Sequence, residues 1–321
     1  MIQRVRFQNK EQVQFVKILR KRVNAYFKEN NISRNANAQM VIKTISVFLM
    51  YLIPYAFVYT AFFTGISGFI LSILLGFGMA GIGMCVMHDA NHGAYSSNPK
   101  VNKFLGICIY LIGGDVYNWK VQHNIFHHTY TNIDGLDGDI HQDPYLRLSS
   151  EQKWKRSHKF QHIYAFFLYA LGTLLWSVFD FVQYRRFTKL GMSPEGKLDK
   201  VKQFRKLLFY KLAYWSFIFV LPIIFSPFLW WQILLGWLVM NMVAGFILTV
   251  TFQLAHVVEG VSFPVPTEEG KVENEWMIHQ LRTTANFAKN SKLVTWFVGG
   301  LNFQIEHHLF PNICHVHYDK I

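Results

Sequence analysis

The chain has 321 residues, of which 51% are hydrophobic and 17% aromatic but only 16% charged. A soluble domain carries about 25% charged residues, so this balance points to a membrane protein. The formal net charge of +13 would suit nucleic acid, but the basic residues flank apolar runs, which directs them to an anionic membrane face or an acidic headgroup and excludes a nucleic-acid partner from the reading.

Residues 1–40 carry Val13, Val16, Leu19, Val23 and Tyr26/Phe27 on one helical face, with Lys10, Lys17, Arg20, Lys21, Arg22 and Lys28 on the other. This pattern predicts a basic amphipathic N-terminal segment, lying on the cytoplasmic membrane surface or packed on the rest of the protein. It lacks an apolar signal-peptide core, so insertion falls to the first membrane span. Two apolar runs follow, 41–63 and 66–87, joined by the uncharged Thr64-Gly65-Ile66-Ser67. Each is near the ~20 residues that cross a ~30 Å hydrocarbon core. The second contains a literal GxGxxG at Gly76, Gly78 and Gly81. No strand precedes it, so it reads as a close helix-packing face and not as a dinucleotide loop.

Residues 104–114 are apolar but too short to cross, and 163–182 are interrupted by Asp180. Two further long runs, 207–226 and 229–252, are joined by Ser226-Pro227-Phe228. Parity selects among them. If the histidine clusters described below share one site, 163–182 cannot cross alone, so it is read with 104–114 as interfacial or packed flat against the other helices. The expected fold is an all-α integral membrane protein of four transmembrane helices in two hairpins. A helical cytoplasmic cap of 88–206 and 253–321 completes a single domain, 41–321, and both termini are cytoplasmic, in a bacterial inner membrane. The absence of Lys and Arg from the two outer loops agrees with this orientation. In the cap, 253–290 begins as a loop and 277–298 reads as a helix. Cys85, Cys108 and Cys314 form no CxxC, so neither a disulfide framework nor a thiolate metal site is expected.

The histidines carry the chemistry. His88 and His92 stand four apart, as do His123 and His127, and Gln304 and His307 stand three apart; His128 and His308 each add a ring. Residues at these spacings share a helix face. Imidazole is the usual protein ligand of iron, zinc and copper. His256, at the membrane edge after the last span, joins them. The candidate metal set is therefore His88, His92, His123, His127, His128, His256, His307 and His308, with Gln304 as a weak or water-mediated member. One ion takes four to six ligands, so the number suits two metal ions with open positions. All-nitrogen coordination favours iron used with oxygen, while zinc and copper remain open by ligand type. Asp89 and Glu306 read as acceptors that fix ring tautomers, or as solubilising charges. His141, His158, His162, His279, His315 and His317 lack paired spacing and read as surface or supporting residues. Asp137, Asp139 and Asp143 read as a structural loop, not a calcium site.

HxxxH, HxxxHH and QxxHH, in this order around paired spans, resemble the membrane fatty acid desaturases. Gln304, in Asn302-Phe-Gln-Ile-Glu-His-His-Leu-Phe-Pro311, resembles the front-end subgroup, which acts between an existing double bond and the carboxyl end. The resemblance covers most of the chain from about residue 40. It implies two non-haem iron ions held by the three boxes and His256, O2 as co-substrate, and an acyl-CoA or acyl-lipid substrate. It also implies a ferredoxin or cytochrome b5 type electron donor. No HPGG haem motif occurs in the sequence, so the donor is expected to be a separate protein. Relatives usually extend beyond the point reached here at Ile321. No catalytic side chain beyond the metal centre is assigned, because abstraction of hydrogen from an unactivated methylene needs an iron–oxygen centre. Arg156, Lys159, Arg185 and Arg186 read either as headgroup contacts or as topology anchors. The alternative within this chemistry is a di-iron lipid, alkane or carotenoid hydroxylase or ketolase. A haem membrane cytochrome would place axial histidines inside the spans, and a transporter would want more polar residues at mid-membrane.

Overall fold

A computed structural model of the chain describes residues 5–7, 9, 11–62, 65–141, 144–194 and 196–321. Lys10, Thr64, Asp143 and the expected end of the first span at 63 lie outside the described residues. In chain order the helices are α1 (Val13–Glu29), α2 (Ala38–Phe57), α3 (Ile66–Asn91), α4 (Pro99–Gly106), α5 (116–130), α6 (Gln161–Ala170), α7 (Gly172–Lys189), α8 (Lys200–Phe225), α9 (Trp230–His256), α10 (Trp276–Thr283), α11 (Lys292–Phe297) and α12 (Gln304–Leu309). A short parallel pair, β1 (Arg6–Phe7) on β2 (Lys271–Val272), ties the N-terminal segment to the loop after α9.

Among the described residues, and besides the bent pair of α6 and α7 that would add a fifth if taken as one span, four helices, α2, α3, α8 and α9, are each long and apolar enough to cross a membrane, as the two-hairpin reading requires. Their bounds differ from the hydropathy runs because capping and helix propagation extend beyond the apolar core. Asn37 accepts from the Met40 amide and starts α2 early, and Asp199 accepts from Lys202 and starts α8 at Lys200. At the other end α3 continues to Asn91 and α9 to His256, so His88 and His256 ride on the spans themselves.

The apolar centre is built by Val47 and Tyr51 of α2, Leu75, Met79 and Ile82 of α3, Tyr214 and Ile218 of α8, and Met240 and Ala244 of α9. The small residues of α3 are the reason the spans approach closely. A Cβ on Gly76 would lie 2.6 Å from Cβ of Val243, and one on Gly78 would lie 2.6 Å from Cα of Tyr51. The GxGxxG is thus a packing surface facing α9 on one side and α2 on the other.

The short apolar stretch 104–114 packs in part against the other helices. Ile107–Ile112 form a 3₁₀ turn that ends on Gly113 (φ 82), and Ile109 and Ile112 join the central core. The run 163–182 is two helices, α6 and α7, bent by 68° at Leu171 and packed on α9. Asp180 is there because it meets a cation. Lys211 of α8, only 3% exposed, donates from Nζ to Asp180 Oδ2 (2.6 Å), Trp176 O (2.8 Å) and Gly113 O (2.5 Å). A buried ammonium with three acceptors is fully satisfied, and it pins α7 and the entry to α5 against α8.

The apolar stripe of α1 takes the packed alternative: Val23 and Phe27 pack on Phe303, Ile313 and Tyr318, and Val16 packs on Met277 and Leu309. The complementary surface lies some 280 positions away, where periodicity cannot reveal it. The helix expected over 277–298 is broken into α10 and α11. Thr284 is extended, the Ala285 amide donates to Ala255 O and the Phe287 amide to Asn302 O, so tertiary partners replace the helical ones.

Candidate metal centre

The segments that carry the histidines converge. α3 supplies His88 and, just past its end, His92; α5 supplies His123, His127 and His128; α9 ends on His256; α12 supplies Gln304, His307 and His308. Local backbone prepares this. Residues 82–87 and 120–127 are π-helical, with each turn one residue wider than an α-turn. The wider turn spreads His123, His127 and His128 over one broad face. Gly299 and Gly300, at φ 63 and 67, do the same for the third cluster. A Cβ at Gly299 would collide with the Met84 carbonyl, so glycine lets this segment lie directly on the α3 backbone and aim α12 inward.

The rings form two nests. In one, His88 lies 4.7 Å from His92, 5.1 Å from His123 and 4.5 Å from His307, measured between ring centroids. In the other, His127 lies 4.7 Å from His256 and 4.9 Å from His308, which are 4.8 Å apart. Within each group the nitrogen ligand atoms lie within 4.8 Å of one another. His128 stands between, 4.7 Å from His307 and 4.4 Å from His308. All eight predicted histidines therefore meet, and the two nests adjoin: His123 and His127 stack at 5.3 Å and share a further group of possible ligands with Asp139, and His307 and His308 share one with His128. Gln304 is buried beside His256, with Oε1 lacking a protein partner.

On the outer side of four of the rings a partner sets the tautomer. Asp137 Oδ2 lies 3.0 Å from His127 Nδ1, Gln280 Oε1 2.8 Å from His308 Nδ1, Tyr318 Oη 3.1 Å from His307 Nδ1, and the Thr283 carbonyl 3.3 Å from His256 Nδ1. In all four the Nε2 faces the nest, is buried, and has no protein hydrogen-bond partner. A ring that donates from Nδ1 to an acceptor presents an Nε2 lone pair, which is the metal-binding tautomer. Four such unpartnered nitrogens aimed inward fit metal ions. Nε2 of His88 and of His128 each lie 3.2 Å from Nε2 of His123, close enough for the rings to share a proton when no ion is present.

Electrostatics agrees. Burial, together with the neighbouring rings, holds His92, His123, His128, His307 and His308 well below the usual imidazole range, so they are neutral and able to ligate. For His127 burial acts in the same direction, but the Asp137 carboxylate outweighs it and raises this ring.

The supporting residues were the least legible in sequence. Asp89 bonds one step away: its Oδ2 accepts from the His315 amide (3.1 Å) and lies 2.9 Å from His315 Nδ1, while His315 Nε2 is 2.9 Å from Lys43 Nζ. The Asp89 carboxylate stands 3.9 Å from His88 Nδ1. Glu306 does not serve as an acceptor for any ring of the site; it accepts from Asn286 Nδ2 at 2.8 Å, because its side chain leaves α12 on the face away from the nests. Gln280 and Tyr318 carry no spacing signal at all. Trp119, also unmarked by sequence, stacks on His123 at 4.5 Å and meets His88 and His92 edge-on at 5.6 and 5.5 Å. Its position four residues before His123, on the same helical face, was the available clue.

Comparison with known proteins points the same way. A profile of the fatty acid desaturase family matches residues 63–321. The chain is 38% identical over 322 residues to an sn-1 linoleoyl-lipid 6-desaturase of Synechocystis sp., covering 99% of this chain and 88% of that protein. It is 36% identical to an acyl-lipid (8-3)-desaturase of Physcomitrium patens, covering 97% of this chain and 65% of the relative. It is 32% identical to a Delta(5) fatty acid desaturase A of Dictyostelium discoideum, covering 96% of this chain and 67% of the relative.

Proposed function

Since the chain belongs to the fatty acid desaturase family, we propose that it is an O2-dependent front-end acyl-lipid desaturase with a di-iron centre in the two histidine nests. The observation that carries the proposal is the set of inward-facing, unpartnered Nε2 atoms, each fixed from behind by an acceptor. His88, His92, His123 and His307 would hold one ion; His127, His256 and His308, with Gln304 beside them, would hold the other; His128 reaches both. The relatives named for linoleoyl-lipid and acyl-lipid substrates favour a lipid ester over an acyl-CoA.

When bound, the iron pair would supply the oxygen chemistry that removes two hydrogens from adjacent methylenes. The balance is one O2, two electrons, two protons and the saturated segment giving the alkene and two waters. The electrons come from a separate ferredoxin or cytochrome b5 type donor. The chain's own residues set the geometry: Asp137, Gln280 and Tyr318 hold ring tautomers, and the buried nests exclude bulk water. Trp119 forms an apolar wall against which a methylene chain can lie. We place both termini and the centre on the cytoplasmic side of a bacterial inner membrane, a reading supported by the basic residues that precede α2 and open α8.

The test is expression in a host without polyunsaturated lipids, together with a competent donor and linoleate. A triene bearing its new double bond on the carboxyl side should appear by gas chromatography. An unchanged acyl profile overturns the front-end assignment. Gain of oxygen, in place of loss of two hydrogens, would select the hydroxylase or ketolase reading.

A further inference from the structure

The first turns of α8 line a groove of about 520 Å3, whose walls include Lys202, Arg205, Lys206, Phe209 and Tyr210. The three cations are exposed, and none forms an ion pair among the described residues. The one acidic lining residue, Asp199, is engaged as the helix cap, accepting from the Lys202 amide at 3.0 Å. The groove therefore offers uncompensated positive charge beside exposed aromatic surface, at the end of a membrane-spanning helix.

A line of contacts leads from this groove towards the metal centre. Tyr210 stacks face to face on Tyr110, with ring centroids 3.7 Å apart and planes at 5°. Behind that pair, Tyr110 Oη and Asp115 Oδ2 are buried and lack protein hydrogen-bond partners. Asp115 caps α5, and Trp119 follows on the next turn, stacked on His123. Unpartnered buried polar atoms are costly unless something meets them.

We infer that the groove on α8 seats the phosphodiester head of the lipid substrate, with the ester end of the acyl chain directed past Tyr110 and Asp115 towards Trp119 and the histidine nests. The inference rests on the acyl-lipid reading above and deepens it. Lys202, Arg205 and Lys206 bind the phosphate through charge-assisted hydrogen bonds. The buried Tyr110 hydroxyl is a donor suited to the ester carbonyl. The scale is consistent: the turn from Asp115 to Trp119 rises roughly 6 Å. An extended chain advances about 1.2 Å per bond, so five bonds from an ester carbonyl cover roughly the same distance. A headgroup anchored on α8 thus measures from the carboxyl end, which is the register a front-end reaction needs.

The experiment uses the full chain reconstituted with its donor in vesicles of 1-linoleoyl-2-palmitoyl phosphatidylglycerol, or of an uncharged galactolipid bearing the same acyl chains. Lys202→Gln/Arg205→Gln/Lys206→Gln is compared with the parent and with a charge-matched triple on α1, Lys17→Gln/Arg20→Gln/Lys21→Gln. All six side chains are exposed, so folding is not at stake. The α8 triple should raise KM for the phospholipid about tenfold, leaving kcat, bound iron and KM for the galactolipid within about twofold; the α1 triple should change none of these. Native mass spectrometry of iron-free protein should show the same loss of retained phosphatidylglycerol. An equal change for both lipids, an unchanged KM, or a rise confined to KM for the electron donor overturns the assignment; the last would make the groove a protein-docking face. A parent that desaturates neither lipid brings down the acyl-lipid reading itself, whereas an active parent with an indifferent α8 triple brings down only the groove.

Discussion

His127 Nδ1 lies 3.0 Å from Asp137 Oδ2, with both side chains at 1% exposure or less. The same carboxylate accepts backbone amides from Asn132 and Asp139, each at 3.0 Å, so its position is fixed by the loop after α5. The loop holds the carboxylate, the carboxylate holds the ring, and the ring presents Nε2 to the nest. Asp137→Asn should therefore lower metal affinity by about 10–100-fold without unfolding the protein. His127→Ala should abolish turnover and reduce bound iron. Elemental analysis and turnover assays check both, and parent-like iron content in Asp137→Asn would show that the carboxylate does not orient the ring.

The two acidic residues inside the histidine clusters should behave differently. Glu306→Gln keeps an acceptor for Asn286 and touches no ring, so activity should stay within about twofold of the parent. Asp89→Asn breaks the contact that joins α3 to His315 and leaves Lys43 buried beside a weakened chain, so stability and iron content should both fall. Equal effects from the two substitutions would contradict these placements.

Glycines on one helix should divide by what they face. Gly78→Val forces a side chain into the α2 backbone at Tyr51 and should destabilise the protein by about 1–3 kcal/mol. Gly83→Ala meets only Leu248 and Ile112 side chains at 3.4 and 3.6 Å, ordinary contact, and should be tolerated. Thermal unfolding in detergent distinguishes them, and a parent-like melting temperature for Gly78→Val would refute the tight α2–α3 packing.

His279 gives a pH signature separate from the ligands. It is fully buried, touches Phe7, and burial pushes its ring down to about 4 from an ordinary value of 6.5. Below pH 6.5 the unfolded chain takes up a proton that the folded ring refuses until about pH 4. Stability attributable to this residue therefore falls as pH drops through that window, by on the order of 3 kcal/mol at its acid end. Melting temperatures of iron-free His279→Gln should decline less steeply between these two values than those of the parent. Parallel curves would mean that this ring is already charged in the fold.

The helical architecture and the histidines that converge were present in the one-dimensional pattern. Long uncharged runs have few fates other than crossing a bilayer, and histidines repeated at helical spacing beside such runs declare a metal site, because both signals are local. The division of the rings into two nests was not local. Nothing in His123-Asn-Ile-Phe-His127 says that its two ends lie beside different sets of rings, since that follows from where α3, α9 and α12 arrive. The roles of Asp137, Gln280 and Tyr318, the burial of Lys211 on Asp180, and the docking of α1 on the C-terminal segment were likewise decided by packing. Each depends on a partner brought close in space but distant along the chain, and a single sequence encodes that proximity only through the folded whole.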